Sequence, residues 1–168
     1  MARHHLDNAR WGFDSNCFVC EPSNRAGLGI AFFHDDQEES VEGDFCLGTN
    51  FSGAPHYVHG GLVLAILDEA MAWGAIALGR SFALTRTTSA DFLRPVAVDQ
   101  AHRVVARLDG RDGEGVMDLS GVVSRVSDGE PCVQGRARFA PLSAGRARQA
   151  IGADVGEVGS DYVRSPRR

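Results

Sequence analysis

Residues 59–73 read His-Gly-Gly-Leu-Val-Leu-Ala-Ile-Leu-Asp-Glu-Ala-Met-Ala-Trp, and this stretch decides the fold. The sequence predicts one helix over residues 62–78, apolar on every face and interrupted only by Asp68, Glu69 and Gly74. A helix that is hydrophobic all round is buried on most of its sides. It is shorter than the roughly 20 apolar residues of a membrane span and carries two carboxylates, which argues against a membrane. We therefore expect a central helix wrapped by a sheet.

The chain has the length and composition of one globular domain. It contains 168 residues, of which 43% are hydrophobic and 23% are charged. Its formal net charge of -5 argues against a nucleic-acid partner, because phosphate binding requires a basic face. The first residues lack the apolar run of a signal peptide, so we expect a cytoplasmic protein.

Four cysteines form one Cys-x-x-Cys pair and two isolated positions, Cys46 and Cys132. The pair, Cys17 and Cys20, offers two zinc ligands, whereas a tetrahedral zinc site takes four. No second pair follows, and no βαβ pattern surrounds this one as it does in redox proteins. In a chain without an export signal we expect four free thiols and no metal.

Alternating apolar and polar residues indicate strands on both sides of the helix. The predicted strands cover residues 28–34, 41–47, 82–93, 101–108, 116–126 and 132–140. This order is typical of an α+β fold, here with an antiparallel sheet of five or six strands. Residues 1–16 are predicted to be a polar lead-in with apolar anchors at Trp11 and Phe13. Residues 142–168 are predicted to be a weakly ordered polar tail with room for one short helix.

Three motifs resemble those of hotdog-fold acyl-CoA thioesterases. They are Pro55-His56-Tyr57-Val58-His59-Gly60-Gly61, the helical Leu67-Asp68-Glu69-Ala70, and Phe92-Leu93-Arg94-Pro95 at a strand end. The opening Cys17-Phe18-Val19-Cys20, followed by Asn24 and Gly27-Leu28, is also similar to that of many such proteins. The resemblance is to the phenylacetate-pathway (PaaI-type) branch of the 4-hydroxybenzoyl-CoA thioesterase superfamily. It covers residues 17–141, the predicted hotdog domain.

This resemblance implies that the long helix is wrapped by the sheet and that two subunits pair through their sheets. The resulting homodimer often pairs again into a dimer of dimers. The implied reaction is the hydrolysis of an acyl-CoA thioester to a free acid and CoA, without a metal or a dissociable cofactor. The aliphatic helix and strand faces are compatible with a small aryl or a medium-chain acyl group.

A glycine at a helix start suits the reacting carbonyl of such a substrate. Its backbone N–H has no partner within the helix, no Cβ blocks the approach, and the helix dipole favours an oxyanion there. Gly60 fits this role, with Gly61 in support. Asp68 lies eight residues further on, about 12 Å along a helix, whereas a shared contact requires about 3 Å. If both act on one carbonyl, each site combines Gly60 of one chain with Asp68 of another.

The resemblance makes Asp68 the catalytic acid, either as general base on water or as nucleophile forming a mixed anhydride. Glu69 projects about 100° further around the helix, so we expect it to be paired at the helix surface or the dimer seam. Thr85 falls where related enzymes carry a hydroxyl that positions water or the acid, or else it fills a strand. His59 orients the loop or the thioester, or else it caps the helix start.

The remaining candidates concern substrate binding. Arg86 and Arg94 carry guanidinium groups suited to the CoA phosphates, although most surface arginines are simply solvated. His56 is expected to shape the acyl pocket. Related enzymes frequently place an Asn or Gln before the acid at a position that is Gly53 here, and Asn50 is the candidate substitute.

Two other functions fit the same cleft. A non-catalytic acyl-CoA or acyl-lipid binding protein would be consistent with the missing amide at Gly53. A hotdog dehydratase or hydratase would pair a catalytic histidine with an acid, whereas the His-Gly-Gly motif favours an oxyanion element. Thioester hydrolysis is the leading hypothesis.

Overall fold

The computed structural model describes residues 3–8 and 15–152. Its strands are β1 (Arg3–Leu6), β2 (Phe32–Asp35), β3 (Ser40–Phe45), β4 (Ser52–Ala54), β5 (Tyr57–Val58), β6 (Ala83–Phe92), β7 (His102–Arg111), β8 (Met117–Arg125) and β9 (Pro131–Pro141). Its α-helices are α1 (Gly60–Ala77) and α2 (Ala144–Ile151), and a short 3-10 helix covers Thr49–Phe51. The predicted anchors Trp11 and Phe13, and the tail beyond residue 152, lie outside the described residues.

Seven strands form one antiparallel sheet in the order β1-β2-β3-β7-β8-β9-β6, and β4 pairs with β5 separately. The central helix α1 packs against six of these strands, from β2 and β3 to β6, β7, β8 and β9. The predicted α+β hotdog arrangement is confirmed. The sheet has one strand more than the sequence suggested, because residues 3–6 of the predicted lead-in pair with β2 and bury Leu6.

Helix α1 is held close to the sheet by small residues at the contact. A Cβ at Gly74 would lie 2.7 Å from the Cδ2 atom of Leu119, which is 1% exposed, so only glycine lets the helix approach β8 this closely. The helix ends where the N–H of Gly79 bonds back to the carbonyl of Gly74, close to the predicted stop. By length and mean hydropathy (1.5) α1 could cross a membrane, but half of it is buried within this domain, as expected of a core helix.

Strand β6 is one outer edge of the sheet. It is ten residues long and pairs only with β9 among the described strands. Large apolar side chains are exposed along it and just beyond it, at Leu84 (57%), Phe92 (54%) and Leu93 (48%). A long edge strand with unpaired backbone groups is a template for pairing with another chain.

The start of the predicted tail forms the short helix α2. The Ser143 side chain caps its N-terminus by accepting a hydrogen bond from the backbone N–H of Arg146. Gly152 ends it in the left-handed conformation, with φ of 79°.

Candidate active site

The carboxylate of Asp68 is held by two hydroxyl groups of β6. The Thr85 hydroxyl lies 3.0 Å from Oδ1 and 3.2 Å from Oδ2, and the Thr88 hydroxyl donates to Oδ1 over 3.2 Å. An ionised carboxylate only accepts hydrogen bonds, so both hydroxyls donate to it and fix its orientation. The structure thus brings Thr85 to Asp68 and adds Thr88, which the sequence did not indicate.

A β-bulge allows both threonines to reach the same acid. In a regular strand, residues three apart point to opposite faces of the sheet. In β6, Thr85 pairs with Phe139 while Thr87 pairs with the adjacent Arg138, which leaves Arg86 without a partner across the ladder. The extra residue shifts the alternation by one, so Thr85 and Thr88 both face α1. Bulges of this kind are common beside active sites, where they redirect a side chain.

The start of α1 presents one backbone donor. His59 is the N-cap residue, and its ring Nδ1 accepts a hydrogen bond from the N–H of Gly61 over 3.0 Å. The carbonyl of His59 accepts from Leu62 and Val63. Among the described residues, none accepts a hydrogen bond from the N–H of Gly60, which is therefore the donor that the helix dipole offers to a ligand. His59 is thus placed as a helix cap that leaves Gly60 available.

Within one chain, Gly60 and Asp68 are separated by eight residues of continuous α-helix. This corresponds to about 12 Å, so the two groups do not meet on one carbonyl. The strand that holds Asp68 is the exposed edge β6. A second chain that pairs along β6 would come close to Asp68.

Glu69 lies in a different environment from the one expected of it. Instead of pairing with a cation at the helix surface, its Oε1 atom accepts a hydrogen bond from the Cys17 thiol over 3.4 Å, with Cys20 beside it. Burial, with a smaller contribution from the neighbouring Cys17, raises the pKa of Glu69 to about 7. Glu69 is therefore separated from the Asp68 site.

The predicted substrate-binding residues are spread over the surface around the helix start and β6. Asn50 and His56 are exposed in the segment before α1, and Arg86 is exposed on the bulge. Arg94 is already engaged, because it donates to the carbonyl of Pro131 over 2.9 Å and forms a 2.8 Å ion pair with Glu130. In this chain Arg86 is the more available cation of the two.

Gly53 packs directly against the capping histidine. A Cβ at this position would lie 3.1 Å from the Cα and 3.2 Å from the Cδ2 of His59. These distances are tighter than ordinary van der Waals contact, so an Asn or Gln side chain would displace His59. The absence of an Asn or Gln at position 53 is therefore linked to the placement of His59 as the N-cap of α1.

A long central helix packed against a seven-stranded antiparallel sheet, with an acid beneath an edge strand, defines a hotdog-fold protein. The family model of the thioesterase superfamily matches residues 56–111, which include Gly60, Asp68 and both threonines. No curated protein sequence matches the chain.

Solved structures share much of this fold. A thioesterase superfamily protein, 25% identical, superposes with a TM-score of 0.68 over 74% of this chain and 60% of its own. A phenylacetic acid degradation-related protein from Ralstonia eutropha JMP134, 28% identical, has a TM-score of 0.58 over 67% of this chain and 84% of its own. A Streptococcus mutans UA159 protein, solved bound to acetyl-CoA, shares the fold at 11% identity, with a TM-score of 0.58 over 62% of this chain and 82% of its own.

These matches confirm the resemblance to hotdog-fold thioesterases of the PaaI type. The chain spans less than two thirds of the first of these structures.

Proposed function

We propose that this protein hydrolyses acyl-CoA thioesters as a homodimer whose two active sites lie between the subunits. One observation carries the proposal. Asp68 is oriented by Thr85 and Thr88 beneath the exposed edge β6, whereas the Gly60 N–H lies about 12 Å away along the same helix. An acid and an oxyanion donor so arranged complete each other only across a subunit boundary.

The reaction assigns one task to each group. The carbonyl oxygen of the thioester accepts a hydrogen bond from Gly60 of one subunit. Asp68 of the other subunit removes a proton from water as the water oxygen bonds to the carbonyl carbon. The oxyanion that forms is stabilised by the Gly60 N–H and the helix dipole. It collapses as the carbon–sulfur bond breaks, and the CoA thiolate takes up a proton, which leaves the free acid and CoA. In the alternative route, Asp68 itself attacks and water then hydrolyses the mixed anhydride.

The pairing along β6 follows from the exposed surface of that strand. Leu84, Phe92 and Leu93 would be removed from water when two copies of β6 meet. Phe92 also lies beside the helix start, since a Cβ on Gly60 would be 3.5 Å from its ring. Its ring is thus well placed to line the acyl pocket, in keeping with a small aryl or medium-chain acyl group.

The comparisons support CoA as the carrier, because the fold is that of thioesterase superfamily proteins and one neighbour was solved with acetyl-CoA. Arg86, exposed on the bulge of β6, is the proposed contact for a CoA phosphate. A cytoplasmic location is part of the proposal and agrees with four free thiols.

The binding-protein alternative is favoured by one observation, the contact between Gly53 and His59, because an amide side chain at the position where relatives place one would require His59 to shift. A hydratase would pair a catalytic histidine with an acid, whereas Nδ1 of His59 accepts a hydrogen bond from the N–H of Gly61, as a helix cap does. A measurement of turnover therefore distinguishes thioester hydrolysis from acyl-CoA binding without catalysis.

The test is steady-state CoA release from benzoyl-, phenylacetyl- and octanoyl-CoA, followed with a thiol reagent. We expect turnover with at least one of them, and a fall in kcat of at least about 100-fold in Asp68→Asn, because a positioned general base contributes about 10² to 10⁴. Glu114→Gln, in the exposed turn between β7 and β8, is the matched control and should retain full activity. Tight binding of acyl-CoA without CoA release would show a binding protein, and wild-type turnover in Asp68→Asn would remove the aspartate from the mechanism.

A further inference from the structure

Two thiols and a carboxylate converge on a face of α1 different from the one that presents Asp68 to Thr85. The Sγ atoms of Cys17 and Cys20 and a carboxylate oxygen of Glu69 all lie within 4.8 Å of one another, and all three residues are partly buried. Glu69 follows Asp68 directly in the sequence but projects about 100° around the helix. The cysteines come from the loop at residues 15–20, so this cluster joins the N-terminal segment to the central helix.

The separation between Cys17 and Glu69 matches that of two ligands around one tetrahedral zinc ion. With Zn–S bonds of about 2.3 Å and Zn–O bonds of about 2.0–2.2 Å, a sulfur and an oxygen ligand lie about 3.5 Å apart. The Sγ of Cys17 lies 3.4 Å from Oε1 of Glu69. Two thiolates and a carboxylate also form a donor set that zinc accepts, whereas magnesium and calcium prefer oxygen ligands alone.

Hydrogen bonds to sulfur further resemble the outer shell of a metal site. The backbone N–H of Cys20 points to the Sγ of Cys17 at 3.4 Å, and the side-chain amide of Asn8 points to the Sγ of Cys20 at 3.8 Å. Groups that donate to ligand atoms orient them and tune their affinity for a metal.

The loop that carries the cysteines is fixed by its own backbone contacts. Leu28 donates to the carbonyl of Phe18 over 2.7 Å, and Ile30 donates to the carbonyl of Val19 over 2.8 Å. Gly27 fits tightly under this loop, because a Cβ there would lie 2.5 Å from the carbonyl oxygen of Phe18. The two thiols are therefore presented to Glu69 by a rigid turn.

We propose that Cys17, Cys20 and Glu69 bind one Zn²⁺ ion per chain, with the fourth position taken by water or another ligand. The sequence alone argued against a metal because the cysteine pair has no second pair. The third donor is instead supplied by the helix, 49 residues beyond Cys20. The ion would pin the N-terminal segment to α1, so its role is structural and independent of thioester hydrolysis.

The test uses the full chain, purified under reducing conditions, stripped with a chelator and titrated with Zn²⁺ and with Co²⁺. We expect one bound equivalent, a sulfur-to-cobalt charge-transfer absorption, and a higher Tm with Zn²⁺, because a ligand that binds only the folded state stabilises it. Cys17→Ser and Cys20→Ser should each lose the absorption, and the conservative Glu69→Gln should weaken binding while the far-ultraviolet circular dichroism stays unchanged.

A double variant, Cys46→Ser with Cys132→Ser, removes the other two thiols and should bind as the wild type does. The proposal is overturned if the wild type binds no stoichiometric metal, or if Cys17→Ser and Cys20→Ser keep the cobalt spectrum of the wild type. Recovery of a Cys17–Cys20 disulfide from reduced, metal-replete protein would also overturn it.

Discussion

Thr88 donates a hydrogen bond to Oδ1 of Asp68 over 3.2 Å. It lies three residues after Thr85, so regular strand alternation would turn the two side chains to opposite faces of the sheet. The bulge at Arg86 makes this contact possible, and Thr85 adds a second donor to the same oxygen at 3.0 Å. The acid proposed for catalysis is therefore oriented by a local irregularity of the edge strand.

Removal of either hydroxyl should lower turnover more than it affects binding. In Thr85→Val and Thr88→Val the side-chain shape is kept but a donor to Asp68 is lost, so we expect kcat to fall about tenfold with little change in KM, less than the loss from removing the base itself. Thr87→Val, an exposed neighbour on the same strand, is the matched control and should leave kcat unchanged. Equal kcat values in all four proteins would show that the hydroxyls have no positioning role.

Disruption of the edge strand should separate the subunits. Leu84 is 57% exposed on β6, so Leu84→Glu places a charge in the proposed interface without disturbing the core. We expect a folded monomer by light scattering, and thioesterase activity below about 5% of wild type, because each site then lacks one partner. Val126→Glu, at a residue that is 50% exposed after β8, should remain dimeric and active. An active Leu84→Glu monomer would contradict the interface.

His102 should make the fold less stable at mildly acidic pH. It is 1% exposed, its Nδ1 lies 2.9 Å from the carbonyl of Gln100, and its Nε2 has no partner among the described residues. Burial lowers the pKa of His102, with a smaller contribution from Arg125 on β8. As the pH falls through about 6.5, the unfolded chain takes up a proton that the folded chain excludes, so stability present above that pH is lost below it.

Urea unfolding at pH 8.0 and pH 5.5 measures this effect. The loss of unfolding free energy between the two pH values should be smaller in His102→Gln than in the wild type. His56→Gln, at an exposed histidine, should keep the wild-type difference. An unchanged pH dependence in His102→Gln would rule out His102 as its source.

A methyl side chain at position 74 should not fit between α1 and β8. A Cβ there would lie 2.7 Å from Cδ2 of Leu119, which is buried and cannot turn away. Gly74→Ala should therefore destabilise the protein by about 1–3 kcal/mol despite the better helix propensity of alanine. Gly110→Ala, where a Cβ meets nothing within 4 Å, is the control. A rise in Tm for Gly74→Ala would contradict the close packing.

Much of the fold could be predicted from local patterns. The all-round apolar character of α1 predicted a buried helix, and strand alternation after it predicted the meander, because both depend on periodicity within one segment. β1 was missed because it pairs with β2 across a sequence separation of 26 residues at Leu6 and Phe32 and 32 residues at Arg3 and Asp35. A strand of four residues also has little alternation of its own.

The residues of the candidate site likewise include some that local sequence predicts and some that only the folded chain brings together. Sequence motifs and the family resemblance indicated Gly60, Asp68 and Thr85. The role of Thr88 depends on a bulge, which no residue pattern predicts. The cluster of Cys17, Cys20 and Glu69 also escaped prediction, because its members are brought together only by folding. The ion pair between Arg94 and Glu130 depends on the conformation of the loop between β8 and β9, which the sequence does not predict.

The central claim is that each site combines Gly60 of one subunit with Asp68 of the other, and subunit complementation tests it most directly. Gly60→Pro deletes the N–H donor at the first helical position, where proline is tolerated, and the preceding His59 already has compatible angles of φ -58° and ψ 128°. Asp68→Ala deletes the acid. Each variant alone should be inactive, with kcat reduced at least about 100-fold.

Co-refolding equal amounts of the two variants gives about half mixed dimers, each with one intact site, so about one quarter of wild-type activity should return. Separately refolded proteins, mixed without subunit exchange, are the control and should stay inactive. Recovery near one quarter supports a site shared between subunits. No recovery, with mixed dimers demonstrated by mass spectrometry, would place both groups in one chain and contradict the account.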